Sequence, residues 1–283
     1  MTGENIWIQT PDLKLAARAW GPADGKPVLG LHGWLDNAAS FDALAPMLED
    51  IRLVALDFPG HGWSDHRPHN SWYYLADYTA DIQRVAAALG WDRFSLLGHS
   101  LGGAVSTLFT AACPDRIERL ALIEALGPLS SSAENAPEHL HSALAKSAAM
   151  DDRPRKVYPD LDAATKARVS VGGISYQAAF LLTERGVEPV EGGVAWRRDR
   201  RLTLPSPFRL TEKQIHAFIE AIQCPTLVVL GSHRSPWWNE EAMQARADAA
   251  RDLEVVELEG YHHLHMETPE PVAEAINRFF ADA

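Results

Sequence analysis

Cysteine is nearly missing from this chain of 283 residues, with Cys113 and Cys224 the only two. They lie far apart and without metal-ligand spacing. That excludes a disulfide framework and a thiolate metal centre, and it suits buried thiols in a reducing cytoplasm. No apolar run approaches the roughly 20 residues that a membrane span needs. Met1 to Thr10 lacks a basic segment followed by an apolar core, so no signal peptide is expected. Positive charge is also short. The 26 Lys and Arg against 38 Asp and Glu leave a net charge of −12, which disfavours nucleic acid and anionic membranes as partners. Internal repeats and long low-complexity tracts are missing as well. The length suits one large α/β domain, alone or with a smaller inserted unit.

Short β-type runs alternate with helical patterns, which predicts a mainly parallel sheet with helices on both faces. Eight strands are expected, at Ile6–Gln9, Lys14–Ala19, Val28–Leu31, Arg52–Leu56, Phe94–Leu97, Leu120–Ile123, Thr226–Leu230 and Glu254–Leu258. The first two are separated by Pro11-Asp12 and read as an antiparallel hairpin. Helices are expected at Ser40–Leu48 with Ser40 as N-cap, and at Leu75–Leu89, Leu101–Ala112, Asn239–Ala250 and Pro269–Ala281.

The alternation breaks between about Gly127 and Ile222. Amphipathic segments near Pro137–Met150, Asp162–Val169 and Ser175–Thr183 predict a helical cap inserted after the sixth strand. It would cover the carboxyl ends of the strands, where α/β ligand sites lie. The expected division is a core of residues 1–126 and 223–283 and a cap of 127–222. Within the cap, the charge run from Trp196 to Arg201 reads as a solvated face or salt-bridged connector in preference to a phosphate site.

Gly98-His99-Ser100-Leu101-Gly102-Gly103 stands where a strand meets a helix. A serine between glycines at such a turn has the pattern of a nucleophile elbow, with an exposed Oγ and a following amide at the positive end of a helix dipole. Three further motifs close strands. They are His32-Gly33-Trp34, Asp57-Phe58-Pro59-Gly60-His61-Gly62-Trp63-Ser64, and Gly260-Tyr261-His262-His263-Leu264-His265-Met266-Glu267-Thr268-Pro269. In this order they resemble the α/β-hydrolase superfamily over nearly the whole chain. The runs Gly30–Asn37 and Leu122–Pro128 look like its serine-hydrolase-like group, related to the kraken proteins.

The resemblance implies Ser100 as nucleophile and a histidine after the last strand as its base. Matching Pro269 to the family's helix-starting proline selects His262, and a one-residue slip would select His263. His263 and His265 are otherwise packing or pocket-lining residues. The backbone amides of Trp34 and Leu101 would form the oxyanion hole. Asp57 and His61 read as residues that hold loops together. Trp72-Tyr73-Tyr74 and Trp237-Trp238 read as core packing in preference to pocket lining.

One departure from the family pattern matters. Most relatives carry an aspartate shortly after the glycine that follows the seventh strand, and here Arg234 stands there. A guanidinium cannot accept the histidine N–H. Glu124, at the end of the sixth strand, is a position that some related hydrolases use for the acid, and its apolar lead-in predicts burial.

The resulting expectation is a cytoplasmic serine hydrolase without metal or other cofactor. It would act as a carboxylesterase through an acyl-enzyme on small to medium, fairly apolar esters. The alternatives are a C–C bond or thioester hydrolase, a perhydrolase, or a non-catalytic ligand-binding protein on the same scaffold. Dehalogenation is disfavoured, because that reaction uses an aspartate where Ser100 stands.

Overall fold

A computed structural model describes residues 3–150, 154–171, 173–235 and 238–281. Its centre is an eight-stranded sheet. The chain enters through β1 (Glu4–Gln9) and β2 (Lys14–Trp20), an antiparallel hairpin pairing Gln9 with Lys14. It continues through β3 (Lys26–Leu31), β4 (Ile51–Leu56), helix α1 (Leu75–Leu89), β5 (Phe94–His99), α2 (Leu101–Ala112) and β6 (Ile117–Ile123). The cap segment follows, with α3 (Ala136–Ala148), α4 (Leu161–Val169), α5 (Tyr176–Gly186), a hairpin of β7 (Val187–Val190) and β8 (Gly193–Trp196), and α6 (Glu212–Ala221). The chain ends with β9 (Thr226–Gly231), α7 (Glu240–Ala249), β10 (Leu253–Leu258), the single turn α8 (Leu264–Glu267) and α9 (Pro269–Ala281). Strand order is β1-β2-β4-β3-β5-β6-β9-β10. Only the β1–β2 and β2–β4 pairings of this sheet are antiparallel.

Strands β3, β5, β6 and β9 are near-continuous apolar runs because both of their faces are covered. Their alternate residues feed two cores. Leu29, Leu31, Leu96, Leu120, Leu122 and Val228 pack with α1, α2 and α6. Val28, Leu97, Ala121, Ile123, Leu227 and Val229 pack with α9 and the Ala38–Phe41 turn. Helix α6, which the expected boundary at 222 assigns to the cap, thus contributes Ile215 and Ile219 to the first core. No helix among the described residues is long and apolar enough to cross a membrane.

Two expectations change. The helix predicted at Ser40–Leu48 is replaced by two short 3-10 turns, Ala38–Phe41 and Ala45–Met47. Pro46 has no N–H for an α-helical bond and its ring crowds the preceding turn. The cap is Asn37 rather than Ser40, accepting from the Ala39 amide at 3.0 Å. The β7–β8 hairpin was not anticipated, since four-residue strands, one carrying Pro189, fall below any clear alternation. Of the aromatic pairs, Trp238 packs on the first core, while Trp237 lies outside the described residues. Tyr73 stacks on Tyr78 and donates to Asp199 of the cap.

Buried ion pairs fasten the cap. Arg185 of α5 reaches Asp57 after β4, Nε to Oδ2 3.0 Å and Nη2 to Oδ2 2.9 Å, with both side chains almost fully buried. Asp57 also accepts from the amides of Ala38 (2.7 Å) and Trp63 (2.9 Å), the loop-holding role expected of it. Arg168 of α4 reaches Asp36 after β3 at 3.1 Å. Removing one partner of such a pair strands a buried charge. Arg185→Met is therefore expected to cost about 3–5 kcal/mol in urea unfolding; a loss below ~1 kcal/mol would mean that the pair does not anchor the cap.

Candidate active site

Ser100 sits between β5 and α2 with φ 51° and ψ −109°, a strained conformation for a residue with a side chain. The neighbouring glycines make this turn possible. A Cβ on Gly98 would lie 2.6 Å from the Gly102 carbonyl oxygen, and one on Gly102 would lie 2.0 Å from that of Leu31. The turn is pinned by hydrogen bonds from Ser100 N to Ile123 O (3.0 Å) and from Gly102 N to His32 O (3.1 Å). Strain held this firmly presents Oγ at the carboxyl edge of the sheet.

His262 lies in the loop after β10. Its Nε2 is 3.0 Å from Ser100 Oγ, and its Nδ1 is 3.1 Å from Glu124 Oε2. Glu124 ends β6 in a left-handed conformation, φ 55°, and is buried. Its amide bonds to Val229 O at 2.9 Å, and its Oε1 accepts from the Gly231 amide at 2.6 Å. One carboxylate oxygen is thus held by the end of β9 while the other faces the imidazole. Arg234 turns away from this centre, donating to Gly231 O and pairing with Glu257. Ser100, Glu124 and His262 therefore lie within hydrogen-bond reach in series, although 162 residues separate the serine from the histidine.

Histidines crowd behind His262. His99 is fully buried, and its Nε2–H donates to the His262 carbonyl oxygen at 2.9 Å. Burial, with His265, His262 and His263 close by, holds His99 well below the usual imidazole range and keeps it neutral. His265 bonds Ser40 Oγ at 2.7 Å and is depressed by burial to about 3. His263 faces Asp36 at 3.2 Å. Burial opposes ionisation of Asp36, but His263 and Arg168 outweigh it and hold the carboxyl well below its ordinary value. His99 and Asp36 were not singled out in the sequence. The only signal for His99 is its place beside the nucleophile candidate, and for Asp36 its place in the Gly30–Asn37 run.

Asp36, His99 and His263 offer three ligand atoms within 4.8 Å of one another. A cation there would face Arg168, already 3.1 Å from the same carboxylate. The cluster therefore suits a hydrogen-bonded support for the His262 loop better than a metal site. Among the described residues, the Trp34 and Leu101 amides donate no hydrogen bond, which leaves both available to an incoming atom. The Trp34 indole is about half exposed, and its Nε1 donates to Leu202 O of the cap at 2.8 Å.

Comparison with known proteins matches residues 26–269 to a family described as the alpha/beta hydrolase fold. A serine hydrolase-like protein of Danio rerio is 33% identical over 278 residues, covering 94% of this chain and 85% of its own. The crystal structure of the hypothetical protein PA1622 from Pseudomonas aeruginosa PAO1 has a TM-score of 0.93 at 47% identity, covering 98% of this chain and 99% of its own. The thioesterase domain from the curacin biosynthetic pathway has a TM-score of 0.84 at 26% identity, with coverages of 98% and 99%.

Four buried imidazoles, His32, His61, His99 and His265, have depressed proton affinities, burial being the leading cause in each. Each contributes stability that is fully present above the unfolded value of about 6.5 and is lost as pH falls towards its folded value. Unfolding free energy is expected to fall between pH 7.5 and 5, by about 1.4 kcal/mol per pH unit for each imidazole that takes up a proton. Urea titrations at the two pH values measure this, and a flat profile would contradict it.

Proposed function

The chain belongs to the α/β-hydrolase family, and from that premise we propose that it is a serine hydrolase working through an acyl-enzyme. Ser100 is the nucleophile, His262 the general base and Glu124 the orienting acid. The substrates are small to medium esters with a fairly apolar acyl group, which makes the enzyme a carboxylesterase. The observation that carries this reading is the relay from Ser100 Oγ through His262 to Glu124, at 3.0 and 3.1 Å.

The chemistry follows from the donors. With Nδ1–H donating to Glu124, Nε2 accepts the Ser100 proton as Oγ attacks the ester carbonyl carbon. The Glu124 carboxylate stabilises the imidazolium so formed. The Trp34 and Leu101 amides receive the negative oxygen of the tetrahedral intermediate. The alcohol then leaves with the proton from Nε2. A water, deprotonated by the same nitrogen, attacks the acyl-enzyme, releases the carboxylic acid and returns the proton to Oγ.

Thioester hydrolysis is the second reading. It needs the same groups and is favoured by the structural similarity to a domain named a thioesterase. The free thiols of Cys113 and Cys224 support the cytoplasm as the compartment.

Stoichiometric labelling of Ser100 by a fluorophosphonate, abolished in Ser100→Ala, is the expected result. A folded wild type that resists labelling would point instead to a ligand-binding protein. Glu124→Gln is expected to lower kcat on p-nitrophenyl esters by about 10³–10⁴, and near-normal turnover would remove Glu124 from the relay.

A further inference from the structure

The cap holds a cavity of about 360 Å³, walled by Lys146, Arg155, Lys156, Arg198 and Arg200 together with Tyr158. That volume is ordinary for a small-molecule site. Five cations converge there, and among the described residues no carboxylate lines the wall. In a chain of net charge −12 this concentration does not follow from composition.

Guanidinium groups elsewhere between cap and core are matched. Arg185 has Asp57, Arg168 has Asp36 and Arg201 has Asp199. Inside the cavity only Arg155 has such a partner, Glu188 at 2.6 Å. Arg200 donates to the Met150 carbonyl oxygen at 2.7 Å. Arg198 lies over the Trp196 ring and Lys156 over the Tyr158 ring, each at 4.8 Å. Lys146, Lys156, Arg198 and Arg200 make no ion pair among the described residues. Arg198 is half-buried, and both burial and the nearby Arg168 weaken its hold on its proton, yet an arginine stays charged. Lys146, Arg155 and Lys156 are exposed at the rim, while Arg198 and Arg200 are half-buried, so two partly desolvated guanidinium groups without an ion pair among the described residues face the cavity.

One hydrogen bond links the segment that walls the cavity to the candidate active site. Its wall includes Arg200, Thr203 and Leu204, and the intervening Leu202 carbonyl accepts the Trp34 indole N–H. Trp34 supplies one of the proposed oxyanion amides, so this contact ties the cavity wall to a residue that would face the substrate carbonyl.

We propose that this cavity binds phosphate groups on the leaving group of the substrate, so that the preferred substrates are esters or thioesters of a phosphorylated alcohol or thiol. The acyl part remains apolar and the anionic part lies under the cap. This rests on the serine-hydrolase reading and specifies its substrate class. The charge run of residues 196–201 then divides. Arg197 and Arg201 are salt-bridged connectors to Glu188 and Asp199, whereas Arg198 and Arg200 serve the anion.

The test compares a coenzyme A thioester with the N-acetylcysteamine thioester of the same acyl group, which lacks the phosphates. In wild type kcat/KM is expected to favour the coenzyme A thioester by about tenfold or more, chiefly through KM, as charge-assisted hydrogen bonds would give. Pyrophosphate is expected to inhibit that hydrolysis competitively. In Arg198→Gln/Lys156→Gln the ratio is expected to fall towards one, and 0.5 M NaCl is expected to narrow it in wild type.

A wild-type ratio near one overturns the proposal. So does a ratio that the double variant leaves unchanged, an equal loss on both substrates, or pyrophosphate that binds in calorimetry without competing. If Ser100 is labelled by fluorophosphonate while the ratio is near one, only the phosphate cavity falls. If Ser100 is not labelled and neither thioester nor p-nitrophenyl ester is turned over, the hydrolase reading falls and takes the cavity's role with it.

Discussion

Glu124 is a carboxylate with almost no access to water, and both of its oxygens must find donors inside the protein. One takes the amide of Gly231 and the other takes His262 Nδ1. That requirement fixes more than a side chain. It ties the end of β6 to the end of β9, sets which tautomer His262 adopts, and so leaves Nε2 as the nitrogen that faces Ser100. The left-handed backbone at Glu124 and at Ser100 appears where neighbouring strands end side by side. Both strained residues are braced by sheet hydrogen bonds, Ser100 N to Ile123 O and Glu124 N to Val229 O. Local strain here is carried by the most rigid part of the fold.

The same edge of the sheet holds two more buried carboxylates, and each is answered differently. Asp36 after β3 is met by Arg168 and His263, and Asp57 after β4 is met by Arg185 and two loop amides. Two of the three thus draw their counter-charge from the cap, and the third draws its partner from the His262 loop. The cap therefore completes the electrostatics of the edge it covers. His263, joined to Asp36, also neighbours His262 in sequence. The cap anchor and the imidazole of the proposed relay consequently share one hydrogen-bonded unit.

The parts of this arrangement that local chemistry dictates were legible in the sequence. Strands such as Thr226–Leu230 are apolar on both faces, and α1, α2 and α9 begin and end where expected, with left-handed Gly90 closing α1 and Pro269 opening α9. Glu124 stood out because Arg234 occupies the place where an acid was sought, a matter of chemistry rather than pattern. Other features depend on partners far along the chain. Nothing near Asp36 announces Arg168, 132 residues away, and His99 acquires its role only when the His262 carbonyl arrives beside it. Pro46, inside Ser40–Leu48, is the local residue that stops a continuous helix there.

Placing the proposed acid after β6 instead of after β9 also changes what the β9 loop can do. Were a carboxylate required at position 234, that residue would have to point inward at His262. Arg234 instead bonds the Gly231 carbonyl and pairs with Glu257. It thereby stiffens the segment whose amide holds Glu124 Oε1. The cation that cannot serve as the acid thus braces the backbone that positions Glu124, the proposed acid. At the cap, Arg168 and Arg185 pair with carboxylates of the sheet edge, and Arg155, Arg197 and Arg201 pair with carboxylates of the cap itself. The unmatched set around Arg198 and Arg200 stands out against that economy. Lys146, Lys156, Arg198 and Arg200, which make no ion pair among the described residues, are the cations left to receive the proposed anion.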